Sequence, residues 1–255
     1  MTLARLKWIY RAWRYRRLLE RQEIRLLLQH LRPGDIAVDV GAHKGAYAYW
    51  MRRAVGAGGR VVAFEPQPLL ARALATLAAE SGFTNLRVEN RALSSSAGTM
   101  ALAVPGESTS PGASLESAAG AGGPPRRTYP VAVTTLDTYF TGDDRRRIRL
   151  VKCDAEGHEL EVFKGGRRLL AEVRPCLLFE CEGRHRSSGS VDEVFRWLAD
   201  LGYRGFYIDR GGARDIADFD PSRHQADSGA RDYVNNFLFL PPAAAQPGTP
   251  AEAAA

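Results

Sequence analysis

The chain has no long hydrophobic run, and none of its apolar stretches approaches the roughly 20 residues that a membrane-spanning helix needs. No apolar core follows its basic start, so no secretion signal is expected. The expected location is cytoplasmic, with peripheral contact at the inner membrane face as the variant. Cysteine is scarce: Cys153, Cys176 and Cys181 are the whole complement. An odd count at these spacings excludes a disulfide framework and a zinc site, and buried inert thiols are expected. Acidic Asp154, Glu156 and Glu180 could offer oxygen ligands to Mg²⁺, but no spacing demands it, and no metal is expected. Acid is also missing locally. Residues 1–32 hold nine basic side chains and only Glu20 and Glu23. That segment, at +7, exceeds the +6 of the whole chain, so the remainder is close to neutral.

A glycine is missing where it matters most. Ile36 to Val40 reads as an apolar strand carrying Asp39, and Gly41-Ala42-His43-Lys44-Gly45 turns it into a helical pattern. In an open α/β sheet, a first strand delivers a ligand to the first helix at such a turn. The dinucleotide fingerprint G-x-G-x-x-G needs a middle glycine, and here Ala42, His43 and Lys44 fill the gap. Asp39 would also set a negative charge against a pyrophosphate. An acid there suits an ammonium-bearing ligand such as S-adenosylmethionine (SAM). Arg60 to Phe64 is a second strand closed by Glu65-Pro66, and an acid so placed commonly accepts ribose hydroxyls. The alternative is a plain βαβ unit whose glycines only make a turn.

At 255 residues the chain is sized for one α/β domain with decorations. Residues 3–31 have helical character, stopped by Pro33-Gly34. Residues 1–33 are therefore expected to form a basic amphipathic helical extension that packs on the core and solvates its basic face. Contact with a membrane surface is the alternative, and no nucleic acid is expected. Strands and helices then alternate over 34–241, with the third strand at 85–90 leading into Arg91-Ala92. Two further strands, near 99–104 and 129–135, suggest an inserted β-hairpin. Residues 105–128, crowded with Gly, Pro, Ser and Ala, are expected to be a mobile loop. The tail, 242–255, is expected to be disordered.

A fourth strand, Ile148 to Cys153, ends in Asp154-Ala155-Glu156-Gly157-His158-Glu159. This places titratable groups across the topological switch from the first strand. An alcohol that accepts a methyl group must lose its proton, and a histidine suits that task near neutral pH. His158 is the candidate base, Asp154 would orient it or the acceptor, and Glu156 would anchor. The alternative for His158 is a simple helix-capping role.

These segments resemble the FkbM-type SAM-dependent methyltransferases. The resemblance is carried by Val38-Asp39-Val40-Gly41-Ala42-His43-Lys44-Gly45-Ala46-Tyr47, Phe64-Glu65-Pro66, Asn90-Arg91-Ala92-Leu93-Ser94 and Val151-Lys152-Cys153-Asp154-Ala155-Glu156-Gly157-His158-Glu159. It spans about residues 36–241. It implies an α/β class I methyltransferase (Rossmann-like) fold: a seven-stranded, mostly parallel sheet with an antiparallel last strand and helices on both faces. It implies methyl transfer from SAM, usually to a hydroxyl of a sugar, glycan or natural product. Asp39, Gly41, Ala42, His43, Gly45 and Tyr47 would hold the amino-acid part, with Asp154 opposite. Glu65 and Pro66 would hold the ribose, and Arg91 and Ala92 the adenine. Two rivals stand beside it: an NAD-dependent oxidoreductase, and a non-catalytic SAM-fold protein binding membrane or RNA through its basic helix. Oligomeric state is not readable.

Overall fold

The computed structural model describes residues 2–106, 109–110, 112–116, 126–185 and 190–242. Half of the loop expected to be mobile (107–108, 111 and 117–125) and the tail from 243 lie outside the described residues.

The helices, in chain order, are α1 (Leu3–Arg14), α2 (Arg21–Gln29), α3 (Ala46–Val55), α4 (Pro68–Glu80), α5 (Leu136–Tyr139), α6 (Glu159–Lys164), α7 (Arg167–Glu172), α8 (Val191–Asp200) and α9 (Pro221–His224). The strands are β1 (Ile36–Val40), β2 (Arg60–Phe64), β3 (Leu86–Glu89), β4 (Ala92–Leu93), β5 (Gly98–Pro105), β6 (Arg126–Thr134), β7 (Ile148–Cys153), β8 (Cys176–Glu180), β9 (Arg204–Asp209), β10 (Gly212–Asp215) and β11 (Asn236–Leu240). The main sheet runs β10-β9-β11-β8-β7-β1-β2-β3. Strands β1, β2, β3, β7 and β8 pair in parallel, while β11 is antiparallel to both β8 and β9.

The sheet has eight strands among the described residues, which corrects the expected seven. The extra one is the edge strand β10, antiparallel to β9 across the Arg210-Gly211 turn. Gly212-Ala213-Arg214-Asp215 carries no apolar alternation, and an edge strand needs none because it buries little. The hairpin of β5 and β6 is joined by β4 into a separate three-stranded sheet.

Burial on both faces explains why the central strands read as nearly continuous apolar runs. Ile36, Val38 and Val40 of β1 face a core built with α5 to α8. Ala37, Val61 and Leu150 face the other way, towards α1 to α4. On α8, Val191, Val194, Phe195 and Leu198 form the buried stripe that helical spacing requires.

Two helical stretches are broken. The long N-terminal helix is interrupted by a π-helical turn, Tyr15–Leu19, and by Glu20, whose backbone leaves the helical region (φ −122°, ψ 48°). Single π turns inside helices often serve a site, because they re-aim side chains by a residue. The helical stretch that follows β7 splits at Gly165-Gly166 into α6 and α7. A side chain at Gly165 would collide with the Ser94 carbonyl, its Cβ lying 2.0 Å from that oxygen. The glycine thus lets the end of β4 close against α6.

The N-terminal segment is part of the core. Trp8, Ala12, Ile24 and Leu27 are buried in the same cluster as Tyr49, Trp50 and Met51 of α3. The Trp50 indole N–H donates to the Ala12 carbonyl at 2.8 Å.

Candidate active site

The turn after β1 is fixed by its backbone. The N–H groups of Gly41 and Ala42 both donate to the Phe64 carbonyl at 3.0 Å, tying the turn to the end of β2. Gly41 has φ +74°, and a Cβ there would lie 1.9 Å from the Asp154 carbonyl oxygen. Only glycine lets the turn and the end of β7 approach so closely. The His43 N–H donates to Glu65 Oε2 at 2.6 Å, and the Gln67 N–H donates to Oε1 at 2.9 Å. Glu65 is thereby aimed, and its burial raises it to about 7 despite both bonds.

One cavity collects the groups that the strand ends deliver. Asp39, Gly41, Ala42, His43, Tyr47, Glu65, Pro66, Arg91, Ala92, Asp154, Glu156 and His158 all line it. Gly45, the remaining expected residue, supports from behind. It caps α3 in the left-handed conformation, and its carbonyl accepts the Trp8 indole N–H at 2.7 Å. His43 sits at φ 47°, and its ring is lowered to about 4 by burial and by the Lys44 and Arg11 charges.

Asp39 is the unusual group. It is buried, and neither of its carboxylate oxygens has a hydrogen-bond partner among the described residues. Such a group is costly unless something else satisfies it. Parallel pairing sets Asp39 directly beside Lys152. The Lys152 ammonium donates to Asp154 Oδ2 at 3.0 Å and stands 5.0 Å from the centre of the Tyr47 ring. Burial pushes Asp39 up to about 6, with Lys152 opposing and Asp154 reinforcing. An orphaned buried carboxylate facing a cavity fits an ammonium group, and Glu65 fits a ribose diol. SAM offers both.

The acids and the histidine after β7 sort differently from expectation. Asp154 engages Lys152 and not His158, which corrects the first of its two expected roles, orienting the histidine. Glu116 holds the histidine instead: its Oε1 lies 2.7 Å from His158 Nδ1, and Ser94 Oγ lies 2.8 Å from Nε2. With the carboxylate accepting Nδ1–H, the Nε2 lone pair faces the Ser94 hydroxyl. Glu156 is raised by burial and pairs with His185 Nδ1 at 2.9 Å. The whole turn hangs on Glu159, whose Oε1 accepts the N–H groups of Ala155 at 3.0 Å and Gly157 at 3.1 Å.

Several cavity residues were not foreseen. Arg11, Tyr15 and Glu20 come from the N-terminal segment, and Glu20 accepts the Tyr47 hydroxyl at 3.1 Å. Glu180 and Asn236 also line the cavity. Glu180 is raised to about 10 by burial and by the Asp154 charge, so it is protonated at neutral pH. Lys152 had a sequence signal: a lysine inside an apolar interior strand is buried and needs partners. Glu116 had none, since it reaches His158 only through tertiary folding.

Residues 39–204 match the Methyltransferase FkbM domain. The crystal structure of methyltransferase FkbM from Methylobacillus flagellatus KT superposes with a TM-score of 0.51 at 16% identity, over 94% of this chain and 55% of that one. The chain therefore spans little more than half the length of that protein. A SAM-dependent methyltransferase from Aquifex aeolicus superposes with a TM-score of 0.45 at 15% identity, over 87% of this chain and 92% of that one. No curated protein matches the sequence significantly.

Proposed function

The chain belongs to the FkbM family of SAM-dependent methyltransferases, and from that premise we propose that it methylates a hydroxyl of a sugar, glycan or natural-product acceptor. The observation that carries the reading is that one cavity is lined by two kinds of group. Asp39 and Glu65 offer carboxylates, and His158 offers an imidazole held by Glu116.

When bound, SAM supplies an electrophilic methyl carried on a sulfonium. Asp39, beside the Lys152–Asp154 pair, would hold the amino group, and Glu65 would accept the ribose hydroxyls. Glu156, protonated Glu180 and Asn236 present donors and acceptors to a hydroxyl-rich acceptor. As the acceptor oxygen takes the methyl, its proton passes to His158 Nε2, the acceptor hydroxyl having replaced the Ser94 hydroxyl that otherwise faces this nitrogen. Glu116 keeps the imidazole in the tautomer that can receive it and stabilises the cation that results. The main contribution is placement, because a single in-line displacement gains most from fixing the reacting atoms.

The test is transfer of labelled methyl from SAM to panels of hydroxylated and amino acceptors, followed by location of the methyl on the product. Methyl ethers support the reading, whereas methylated amines alone would replace it with N-methylation. The NAD-dependent alternative is set aside by the family match, and the unpartnered carboxylate of Asp39 would repel a pyrophosphate.

A further inference from the structure

The N-terminal segment has two faces. Trp8 and Ala12 bury one of them in the core. On the other, Leu3, Leu6, Tyr10 and Trp13 follow one another at the three- and four-residue steps that keep side chains on one side of a helix. Leu18 and Leu19, inside the π turn, are exposed as well. Of the seven large apolar side chains most exposed among the described residues, six belong to this stretch. Leu3 is 67% exposed, Tyr10 71% and Leu18 76%. Scattered exposed leucines are ordinary, but six within 17 residues form a patch.

The charge around the patch has one sign. Lys7, Arg14, Arg17 and Arg21 are exposed among the apolar side chains. The segment's only two acids are turned towards the body of the protein. Glu20 accepts the Tyr47 hydroxyl, and Glu23 is buried enough to be raised to about 7. The outer face is therefore apolar and purely cationic.

We infer that this face docks on an anionic phospholipid surface, with the leucines and aromatics entering the interface and the basic residues meeting lipid phosphates. A second copy of the chain is a poor occupant, because a twofold contact would set Lys7, Arg14 and Arg17 against their own counterparts. Nucleic acid is also a poor one, because exposed leucines gain nothing from phosphates or stacked bases. A lipid interface satisfies both halves of the pattern. No helix among the described residues is long and apolar enough to cross a membrane, so the contact is peripheral. Its position has a consequence. Arg11 and Tyr15, on the same stretch, line the cavity, so docking brings the cavity close to the bilayer surface.

The experiment is vesicle sedimentation of the full chain with phosphatidylcholine alone and with about 30% phosphatidylglycerol. Binding is expected to the mixed vesicles and not to the neutral ones. The triple variant Leu3→Ser/Leu6→Ser/Tyr10→Ser removes the apolar part, and the double variant Lys7→Gln/Arg14→Gln removes charge. Each should weaken binding by about tenfold or more, with SAM affinity and melting temperature unchanged. Should the triple variant fold poorly, the double variant carries the test alone. The inference is overturned if the wild type ignores anionic vesicles, if it binds neutral vesicles equally, or if both variants bind as the wild type does. Tighter binding to an RNA oligomer, or a dimer in solution that the same substitutions dissolve, would overturn it as well.

Discussion

The Trp8 indole N–H donates to the carbonyl of Gly45 across 2.7 Å of buried space. That bond joins the first helix of the chain to the turn after β1, which we propose receives the cofactor. Residues 1–33 are thus a wall of the site as well as an extension, and their loss should be felt at the cavity.

Trp8→Phe keeps most of the packing and removes one of the two donors on the Gly45 carbonyl, the Tyr49 N–H remaining at 3.1 Å. We expect a stability loss of about 0.5–1.5 kcal/mol and weaker SAM binding. Trp8→Ala should cost about 3–5 kcal/mol through the cavity it leaves. Urea unfolding and calorimetric titration check both. Wild-type SAM affinity in Trp8→Phe would show that the bond has no bearing on the site.

Asp39 and Glu65 make SAM binding dependent on pH. Burial raises Asp39 to about 6 and Glu65 to about 7, above the ordinary carboxylate range near 4. In the free protein each therefore holds a proton that the unfolded chain has released, so their contribution to stability falls as pH rises from about 4 to about 7. A cationic ligand prefers the ionised acids, so the sign for binding is the opposite. SAM affinity should climb as pH rises through about 6 to 7 and flatten above. Calorimetry between pH 5 and 8, in buffers of different ionisation enthalpy, should also record proton release on binding below the plateau. Constant affinity across that range would contradict the assignment.

His158 and Glu116 should separate turnover from binding. His158→Ala is expected to lower kcat by about 10²-fold or more with SAM affinity kept. Glu116→Gln keeps the packing and removes the charge that supports the imidazolium, so kcat should fall by roughly tenfold and its pH profile should move. Steady-state kinetics on the accepted substrate decides the matter. Undiminished turnover in His158→Ala removes the histidine from the chemistry.

Glu159 is a positioning residue. Glu159→Ala leaves the half-buried Ala155 and buried Gly157 N–H groups without their acceptor, and about 2–4 kcal/mol of stability should be lost. Glu159→Gln keeps an oxygen in place and should retain most of it. Equal losses in the two variants would show that the charge, not the geometry, holds the turn.

Much of the frame was legible because it obeys local rules. Asp39, Glu65 and His158 stand at the ends of apolar strands, where topology delivers a ligand, and all three line the cavity. What stayed hidden depends on distant chain. The Asp39–Lys152 pairing exists only once β1 and β7 lie in register. Glu20 looked like a stray acid in a basic helix until the π turn swung it towards Tyr47. Of the roles expected for Asp154, orienting His158 rested on sequence nearness, whereas side chains two apart on a strand share a face. That rule puts Asp154 beside Lys152.

The most direct measurement is calorimetric titration of the purified chain with SAM, S-adenosylhomocysteine and NAD⁺, repeated on Asp39→Ala. Micromolar binding of the first two, none of NAD⁺, and marked weakening in Asp39→Ala are predicted. Silence from SAM in folded protein, or undiminished affinity in Asp39→Ala, would contradict the cavity's assignment to that cofactor.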